Sequence, residues 1–281
     1  VILLKNKGTL EGKLAEIGYK PVWSEFPSGP PLLEALNAGA IDFGHAGEAP
    51  PIFAQAAAAE FVYVAHEPPA PRGEAILIPK DSPIQSVAEL KGKTVAVTKA
   101  SGSHYLLIAA LAKSGLKFND IRPAYLTPAD GRAAFEKGAV DAWVTWDPYV
   151  AAVEKQSGAR VLASGEGVAS YQRYYLASSS FAATRPDVLK LVYAKLKETG
   201  EWVKRNPESA AQILAPVWGL DSAIISLANN RRSYEVRPVS SDNLAEEQKI
   251  ADAFFAERAL PKQINSREAL IWSPDKHASA Q

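Results

Sequence analysis

The stretch Ala35-Leu36-Asn37-Ala38-Gly39-Ala40-Ile41-Asp42 returns later in the chain as Ala134-Phe135-Glu136-Lys137-Gly138-Ala139-Val140-Asp141. At the same offset beyond these stretches, Glu48 falls opposite Asp147, and each acid lies close to proline. Both copies share one order: a helix, a glycine stop, a short strand, an acid, a proline and the next helix. A supersecondary unit that occurs twice predicts two lobes of similar build.

The sequence around these two copies has an α/β pattern. Residues 93–97 have the composition of a strand, and a Ser/Gly loop then leads into a helix predicted from about residue 103 to 113. Such alternation of strands and helices predicts an α/β fold with mostly parallel sheets.

Two further short strands mark the places where the chain is expected to cross between the lobes. They are predicted at residues 75–79 and 174–177. We therefore predict that lobe I is discontinuous and that lobe II is a single insertion within it. The predicted ranges are 1–77 with 178–281 for lobe I, and 78–177 for lobe II.

The composition limits the function. Of 281 residues, 47% are hydrophobic, which favours a folded core. The 31 Lys and Arg balance the 31 Asp and Glu, so no overall field attracts nucleic acid. Cysteine is absent, which excludes disulfides, thiolate catalysis and cysteine-bound metals. A charged ligand must therefore be recognised by a local site.

The sequence also bears on targeting and on membrane insertion. Methionine is absent even at position 1, so we expect that a targeting peptide has been removed or that the chain has been trimmed. No apolar run approaches the roughly 20 residues that span a bilayer, so we expect no membrane insertion.

Three loops share one design that suits an anion. Residues 26–31, 47–51 and 99–104 are rich in small residues, and each precedes a predicted helix. The first amides of a helix lack internal partners and carry about half a positive charge, so helix starts bind anions. Several starts meeting in one cleft could hold an ionised group without any lysine or arginine. The alternative is that the serines are ordinary N-caps and the prolines ordinary first-turn residues.

Side chains near these loops complete the candidate site. Glu48 and Asp147 either cap the next helix or orient a polar group of the ligand. Trp143 is predicted in the core, whereas Trp146 is predicted to line the cleft and stack on an aliphatic chain. His104 could donate a hydrogen bond to an anion. The predicted ligand-binding residues are Ser28, Gly29, Pro30, Gly47, Glu48, Ala49, Ser101, Gly102, Ser103, His104, Trp146 and Asp147.

Catalytic and cofactor motifs are missing from the sequence. There is no HExxH and no GxSxG, and the residues before Lys93-Thr94 lack the glycine that a P-loop needs. We therefore predict no catalytic residues, no metal and no cofactor.

Several segments resemble the aliphatic sulfonate-binding proteins of ABC importers, within the nitrate/sulfonate/taurine group of periplasmic solute-binding proteins. The resemblance extends over nearly the whole chain, and the G-E-A-P-P and W-D-P-Y forms favour alkanesulfonates. The segments are residues 29–36, 39–44, 47–56, 140–149, 231–238 and 248–252.

The resemblance implies a type II periplasmic binding protein fold, in which two doubly wound lobes are joined by two hinge crossings and close on the ligand. It also implies a periplasmic protein that delivers a small organic sulfonate to a membrane permease, and we expect it to act as a monomer. Members of that family begin with a strand of the form I-G-Y-Q before the first helix. No counterpart precedes the first helix here, so lobe I is expected to lack that strand.

The leading hypothesis is a binding protein without catalysis that captures alkanesulfonates. Taurine, nitrate or another small anion are alternative ligands. A pyrimidine-precursor synthase-like enzyme on the same fold is a second alternative, although it would need clustered histidine and often cysteine, which are scarce here. A ligand-sensing module that reports to a receptor is a third.

Overall fold

The computed structural model describes residues 1–274, and its strands form two sheets. The first sheet has four strands and the second has five. The strands are β1 (Phe43–Gly47), β2 (Phe61–Glu67), β3 (Glu74–Ile78), β4 (Thr94–Val97), β5 (Arg122–Tyr125), β6 (Ala142–Trp146), β7 (Arg160–Ser164), β8 (Arg173–Ser178) and β9 (Leu270–Ile271).

Helices surround both sheets. The helices are α1 (Ile2–Lys7), α2 (Thr9–Ala15), α3 (Gly29–Asn37), α4 (Ala49–Ala56), α5 (Gly102–Lys113), α6 (Pro128–Glu136), α7 (Tyr149–Gln156), α8 (Ser179–Thr184), α9 (Pro186–Arg205), α10 (Pro207–Trp218), α11 (Ser222–Asn230) and α12 (Ser241–Ala256). The strand order is β1-β8-β2-β9 in the first sheet and β5-β4-β6-β3-β7 in the second.

The repeated unit of the sequence is present once in each sheet. In the first copy, α3 leads through Gly39 to β1 and α4, and in the second copy α6 leads through Gly138 to β6 and α7. Gly39 and Gly138 have φ values of +70° and +68°, a conformation that glycine adopts without strain after a helix end. The predicted two-lobed α/β architecture is confirmed.

The strands β3 and β8 show where the chain crosses between the sheets. All of β3 pairs with β6 and β7 in the second sheet, and all of β8 pairs with β1 and β2 in the first. The crossings therefore precede these strands, at residues 68–73 and 165–172. The predicted boundaries at 77/78 and 177/178 lie a few residues too late, because both strands were assigned to the lobe that the chain is leaving.

The expectation of mostly parallel sheets is wrong because β3 and β8 enter their sheets from the other lobe. A strand that enters from the other lobe runs against its new neighbours, so the pairings of β3 with β6 and β7, and of β8 with β1 and β2, are antiparallel. Parallel pairing remains between β4 and β5, between β4 and β6, and between β2 and β9.

The two crossings run side by side and are joined by backbone hydrogen bonds. The amide of Ala70 donates to the carbonyl of Ser170 at 3.0 Å, and the amide of Gly165 donates to the carbonyl of Pro71 at 2.8 Å. A paired double crossing of this kind is a suitable hinge, since a few residues at the ends of elements absorb the change in dihedral angles.

The lobes also contact one another away from the crossings. Helix α11 packs on α7 through Ile224 and Ala228 against Ala151 and Ala152. Helix α12 contacts both α4 and α5, and its Phe254 belongs to the buried cluster that they share. The chain that follows β8 therefore touches the second lobe at two places.

Two further observations concern the described residues. Across residues 1–274 no single helix combines the length and apolarity that a bilayer crossing needs, and α10 with α11, which meet at a 118° bend, reach them only as a pair. Within the same residues no group of three or more His, Asp or Glu side chains is arranged to hold a metal ion.

Candidate functional site

The starts of α3 and α4 lie against each other. A Cβ added to Gly29 would lie 2.6 Å from Cγ of Pro50 and 3.2 Å from Cβ of Ala46, so only glycine allows this approach. Ser28 precedes α3 in an extended conformation but makes no capping hydrogen bond, which leaves its half-buried hydroxyl available. Pro30 lies in the first turn of the same helix. The first two predicted loops are therefore neighbours.

Glu48 ties the start of α4 to the second crossing. Its carboxylate accepts hydrogen bonds from the Ser170 hydroxyl at 2.8 Å and from the amides of Tyr171 at 3.2 Å and Gln172 at 2.7 Å. Burial raises the pKa of Glu48 to about 7, although these three donors and Arg173 oppose the shift.

The two neighbours of Glu48 lie at the same junction. Ala49 is fully buried, and a Cβ on Gly47 would lie 4.0 Å from the Gln172 carbonyl.

The start of α5 reaches the same crossing from the second lobe. A Cβ on Gly102 would lie 3.4 Å from Cδ2 of Tyr171 and 3.4 Å from Oε2 of Glu74. Ser101 is an N-cap, since its hydroxyl accepts from the amide of His104 at 3.3 Å, and it lies 2.9 Å from the Ser103 hydroxyl. The capping alternative is therefore correct for Ser101. This arrangement also positions Gly102 beside Tyr171, whose backbone amide donates a hydrogen bond to Glu48.

The ring of His104 is packed among aromatic side chains. Its ring packs against the rings of Phe118, Tyr125 and Phe254, and its Nδ1 accepts from the Ala100 amide at 3.2 Å. Burial lowers the pKa of His104 to about 4, with Lys99 adding to the shift, so the ring is neutral at pH 7. Its Nε2 has no partner among the described residues, and its role as an anion donor stays a prediction.

The two tryptophans of β6 differ as predicted. Trp143 is buried among Phe135 and Tyr149, whereas Trp146 is half-buried and pairs across the sheet with Glu74. The alternation of side chains along a strand explains the difference. Trp146 is therefore on the face of the sheet that carries Glu74.

Asp147 accepts a hydrogen bond from the first turn of α7 and carries an ion pair. Its Oδ1 accepts from the Ala151 amide at 3.0 Å and lies 3.3 Å from Nη1 of Arg231. Nη2 of Arg231 binds Glu154 at 2.6 Å. Burial raises the pKa of Asp147 to about 6, although Arg231 and the Ala151 amide lower it. Because Arg231 follows α11 of the first lobe, this pair joins the two lobes.

Arg173 is a site residue that the sequence analysis missed. It is the first residue of β8 and pairs across the sheet with Gly47 on one side and Glu67 on the other. Its guanidinium lies 4.4 Å from the ring centroid of Tyr171 and donates to the hydroxyl of that residue at 3.0 Å. Among residues 1–274 no carboxylate forms an ion pair with it.

The sequence analysis expected that helix starts could hold an anion without any lysine or arginine, whereas Arg173 lies beside these helix starts. No local motif marks Arg173, because its neighbours come from β1, β2 and the second crossing. A signal was present, however, since Arg173 directly precedes the strand predicted at residues 174–177. An unpaired arginine there is a candidate anion ligand.

Glu74 is the second residue that the sequence analysis missed. It begins β3, is fully buried, and neither of its carboxyl oxygens has a hydrogen-bond partner in the described chain. Burial, and after it the charge of Glu48, raises the pKa of Glu74 well above its usual range, while Arg173 opposes the shift. Burial and Glu48 therefore favour the neutral form of this carboxyl.

Another buried acid beside the site is fully paired. Glu67 accepts hydrogen bonds from the guanidinium of Arg232 and, at 2.6 Å, from the hydroxyl of Tyr175. Burial alone would raise the pKa of Glu67, but Arg232, followed by Arg173 and Tyr175, brings it down to about 2. Arg232 is therefore already engaged, in contrast to Arg173.

The predicted residues at the starts of α3, α4 and α5 converge on the second crossing, and Trp146 adjoins them through Glu74. The ring of His104 and the carboxylate of Asp147 have their contacts elsewhere. A groove of about 870 Å3 lies at a different place, between the end of α4, α12 and residues 262–268. Its lining includes Gln55, Lys249 and Lys262 and none of the predicted site residues.

Comparisons with known proteins identify the family of the chain. A family described as NMT1/THI5 like matches residues 27–210. A putative aliphatic sulfonates-binding protein of Escherichia coli K12 is 44% identical over 275 residues, which cover 98% of this chain and 85% of the relative. The chain belongs to the aliphatic sulfonate-binding protein family.

Solved structures place this member of the aliphatic sulfonate-binding family among type II periplasmic binding proteins. The alkanesulfonate-binding protein of Xanthomonas axonopodis pv. citri, bound to MOPS, superposes with a TM-score of 0.91 at 41% identity, over 96% of this chain and 93% of that one. The taurine-binding periplasmic protein of Escherichia coli K12 is 29% identical over 62% of this chain and 55% of its own length. Each of these relatives is named as a binding protein.

Proposed function

We propose that this chain is the ligand-capturing component of an ABC importer, that it binds an alkanesulfonate between its lobes, and that it works in the periplasm. The membrane permease of the importer would be its partner. The high identity to an aliphatic sulfonates-binding protein over nearly the whole chain supports this proposal. The ligand would lie where the starts of α3, α4 and α5 approach the second crossing.

The observation that carries the proposal is the unpaired guanidinium of Arg173 at this junction. Its electrostatic effect reaches Glu48, Glu74 and Asp147, so it is a central positive charge among buried acids. A sulfonate is permanently ionised and offers three oxygens, which suits a combination of one guanidinium with several helix-start amides. The half-buried Trp146 would contact the alkyl chain.

Magnitudes show why a cation helps. Micromolar binding corresponds to about −8 kcal/mol. A helix start contributes about 0.3–1 kcal/mol, up to about 2 kcal/mol when partly buried. A hydrogen bond to a charged group contributes about 1.5–3 kcal/mol. Helix starts alone fall short of micromolar affinity, whereas helix starts with Arg173 and apolar contacts reach it.

The test is calorimetric titration with propanesulfonate, taurine, nitrate and sulfate. We expect saturable binding of propanesulfonate in the micromolar range, and a loss of at least about tenfold in Arg173→Gln, because a charge-assisted hydrogen bond is removed. Arg237→Gln is the matched control, since Arg237 is exposed and pairs with Glu235 on the surface. Tight binding of nitrate or sulfate with no response to propanesulfonate would contradict the proposal, and binding of taurine alone would replace its ligand.

A further inference from the structure

Glu74 has the features of a residue that lacks its partner. It is 0% exposed, and both carboxyl oxygens lack hydrogen-bond partners among residues 1–274. Oε2 lies 3.4 Å from the position of a Cβ on Gly102, at the start of the twelve-residue helix α5. Buried polar groups in native proteins almost always have a partner. A ligand that enters between the lobes would supply one here.

The charged and titratable groups that interact electrostatically with Glu74 belong to different elements. Glu48 lies at the start of α4, Arg173 begins β8, Tyr171 belongs to the second crossing, and Tyr105 lies on α5. Burial and then Glu48 keep the pKa of Glu74 raised, and Arg173 only partly offsets them. A neutral carboxyl carries an O–H donor, which a carboxylate lacks.

We propose that Glu74 contacts the sulfonate head group as a neutral carboxylic acid and donates its O–H to one sulfonate oxygen. This inference rests on the proposed function and adds a specificity residue to it. A neutral donor lies beside an anion without charge repulsion. The negative charge of the bound sulfonate in turn holds the proton on Glu74, because a nearby like charge disfavours ionisation.

Binding is therefore linked to one proton. A sulfonate does not titrate between pH 5 and 9, so any pH dependence of its affinity comes from the protein. At a pH above the pKa of Glu74 in the free protein, the acid must take up a proton before the head group binds. The affinity then falls about tenfold for each further pH unit. Glu48 also titrates near pH 7, and two interacting acids titrate as a pair, so variants must separate their contributions.

The experiment is calorimetric titration of the full chain with propanesulfonate from pH 5 to pH 9. We expect wild-type affinity to be level at acid pH and to fall at alkaline pH. Glu74→Gln, which keeps a donor but cannot ionise, should lose the alkaline fall and bind only a few-fold more weakly at pH 6. Glu74→Ala should bind roughly tenfold to a hundredfold more weakly at pH 6, the loss of one hydrogen bond to a charged group.

Two controls complete the experiment. Glu48→Gln should keep an alkaline fall, because Glu74 is still present. Glu60→Gln should match the wild type, because Glu60 is exposed and precedes β2 at the end of the strand away from Glu67. A level wild-type profile, an affinity that rises with pH, or the same fall in Glu74→Gln as in wild type would overturn the inference. Failure of the wild type to bind any sulfonate at any pH would instead overturn the proposed function.

Discussion

The guanidinium of Arg231 lies 3.3 Å from the carboxylate of Asp147, and these two residues belong to different lobes. Arg231 also binds Glu154 at 2.6 Å, next to the apolar contact between α11 and α7. The structure therefore has a salt-bridge contact between the lobes that is separate from the two hinge crossings. Asp147, which follows β6 at the candidate site, is part of it.

Replacing Arg231 with alanine should remove this salt-bridge contact between the lobes. The variant leaves Asp147 buried without its cation, and breaking a buried pair costs up to about 3–5 kcal/mol. Because both side chains retain some exposure, 12% and 6%, we expect a decrease of about 2 kcal/mol in the free energy of unfolding. We also expect a larger radius of gyration in small-angle X-ray scattering. Arg237→Ala, at an exposed pair, should change neither quantity measurably. Equal effects of the two substitutions would contradict the account.

Glu67 should make stability depend on pH in the acid range. Its pKa is lowered from 4.5 to about 2 in the folded protein, so the ionised form stabilises the fold. This contribution is fully present above pH 4.5 and is lost as pH falls through 2, and it amounts to about 3 kcal/mol. Urea unfolding at pH 3 and pH 6 should show the decrease in wild type and a much smaller one in Glu67→Gln. Parallel pH profiles would show that the pair with Arg232 is not the cause.

Gly102→Ala tests whether the start of α5 receives the ligand. The nearest atoms to the new Cβ would be at 3.4 Å, which is ordinary contact, so the variant should fold with nearly unchanged stability. The added methyl group would occupy the space beside Glu74 and Tyr171, and we expect propanesulfonate to bind at least about tenfold more weakly, a loss of about 1.4 kcal/mol. Gly12→Ala is the control, because a Cβ there meets nothing within 4 Å. Unchanged affinity in Gly102→Ala would remove this helix start from the site.

The parts of the fold that could be predicted from the sequence are those specified locally. Glycine stops at Gly39 and Gly138, alternation along Trp143-Val144-Thr145-Trp146 and the proline-marked helix starts are all written in neighbouring residues. They were sufficient for the repeated unit, for two lobes and for the difference between Trp143 and Trp146.

The parts that could not be predicted depend on contacts between distant segments. Arg173 is central only because the second crossing places it between β1 and β2, and Arg231 acquires its role from α7, far away in the sequence. The burial of Glu74 is equally invisible in the sequence, because its neighbours Gly102 and Trp146 lie far from it along the chain. The prediction of strand direction also failed, because the sequence of a single strand does not show from which lobe the chain enters it.

The most direct test of the account is an experimental structure with propanesulfonate bound. We expect the head group within hydrogen-bond distance of the α5 start and the Arg173 guanidinium, with Glu74 on one of its oxygens and Trp146 along the alkyl chain. A sulfonate found in the groove lined by Lys249 and Lys262, with the starts of α4 and α5 unaltered, would contradict it.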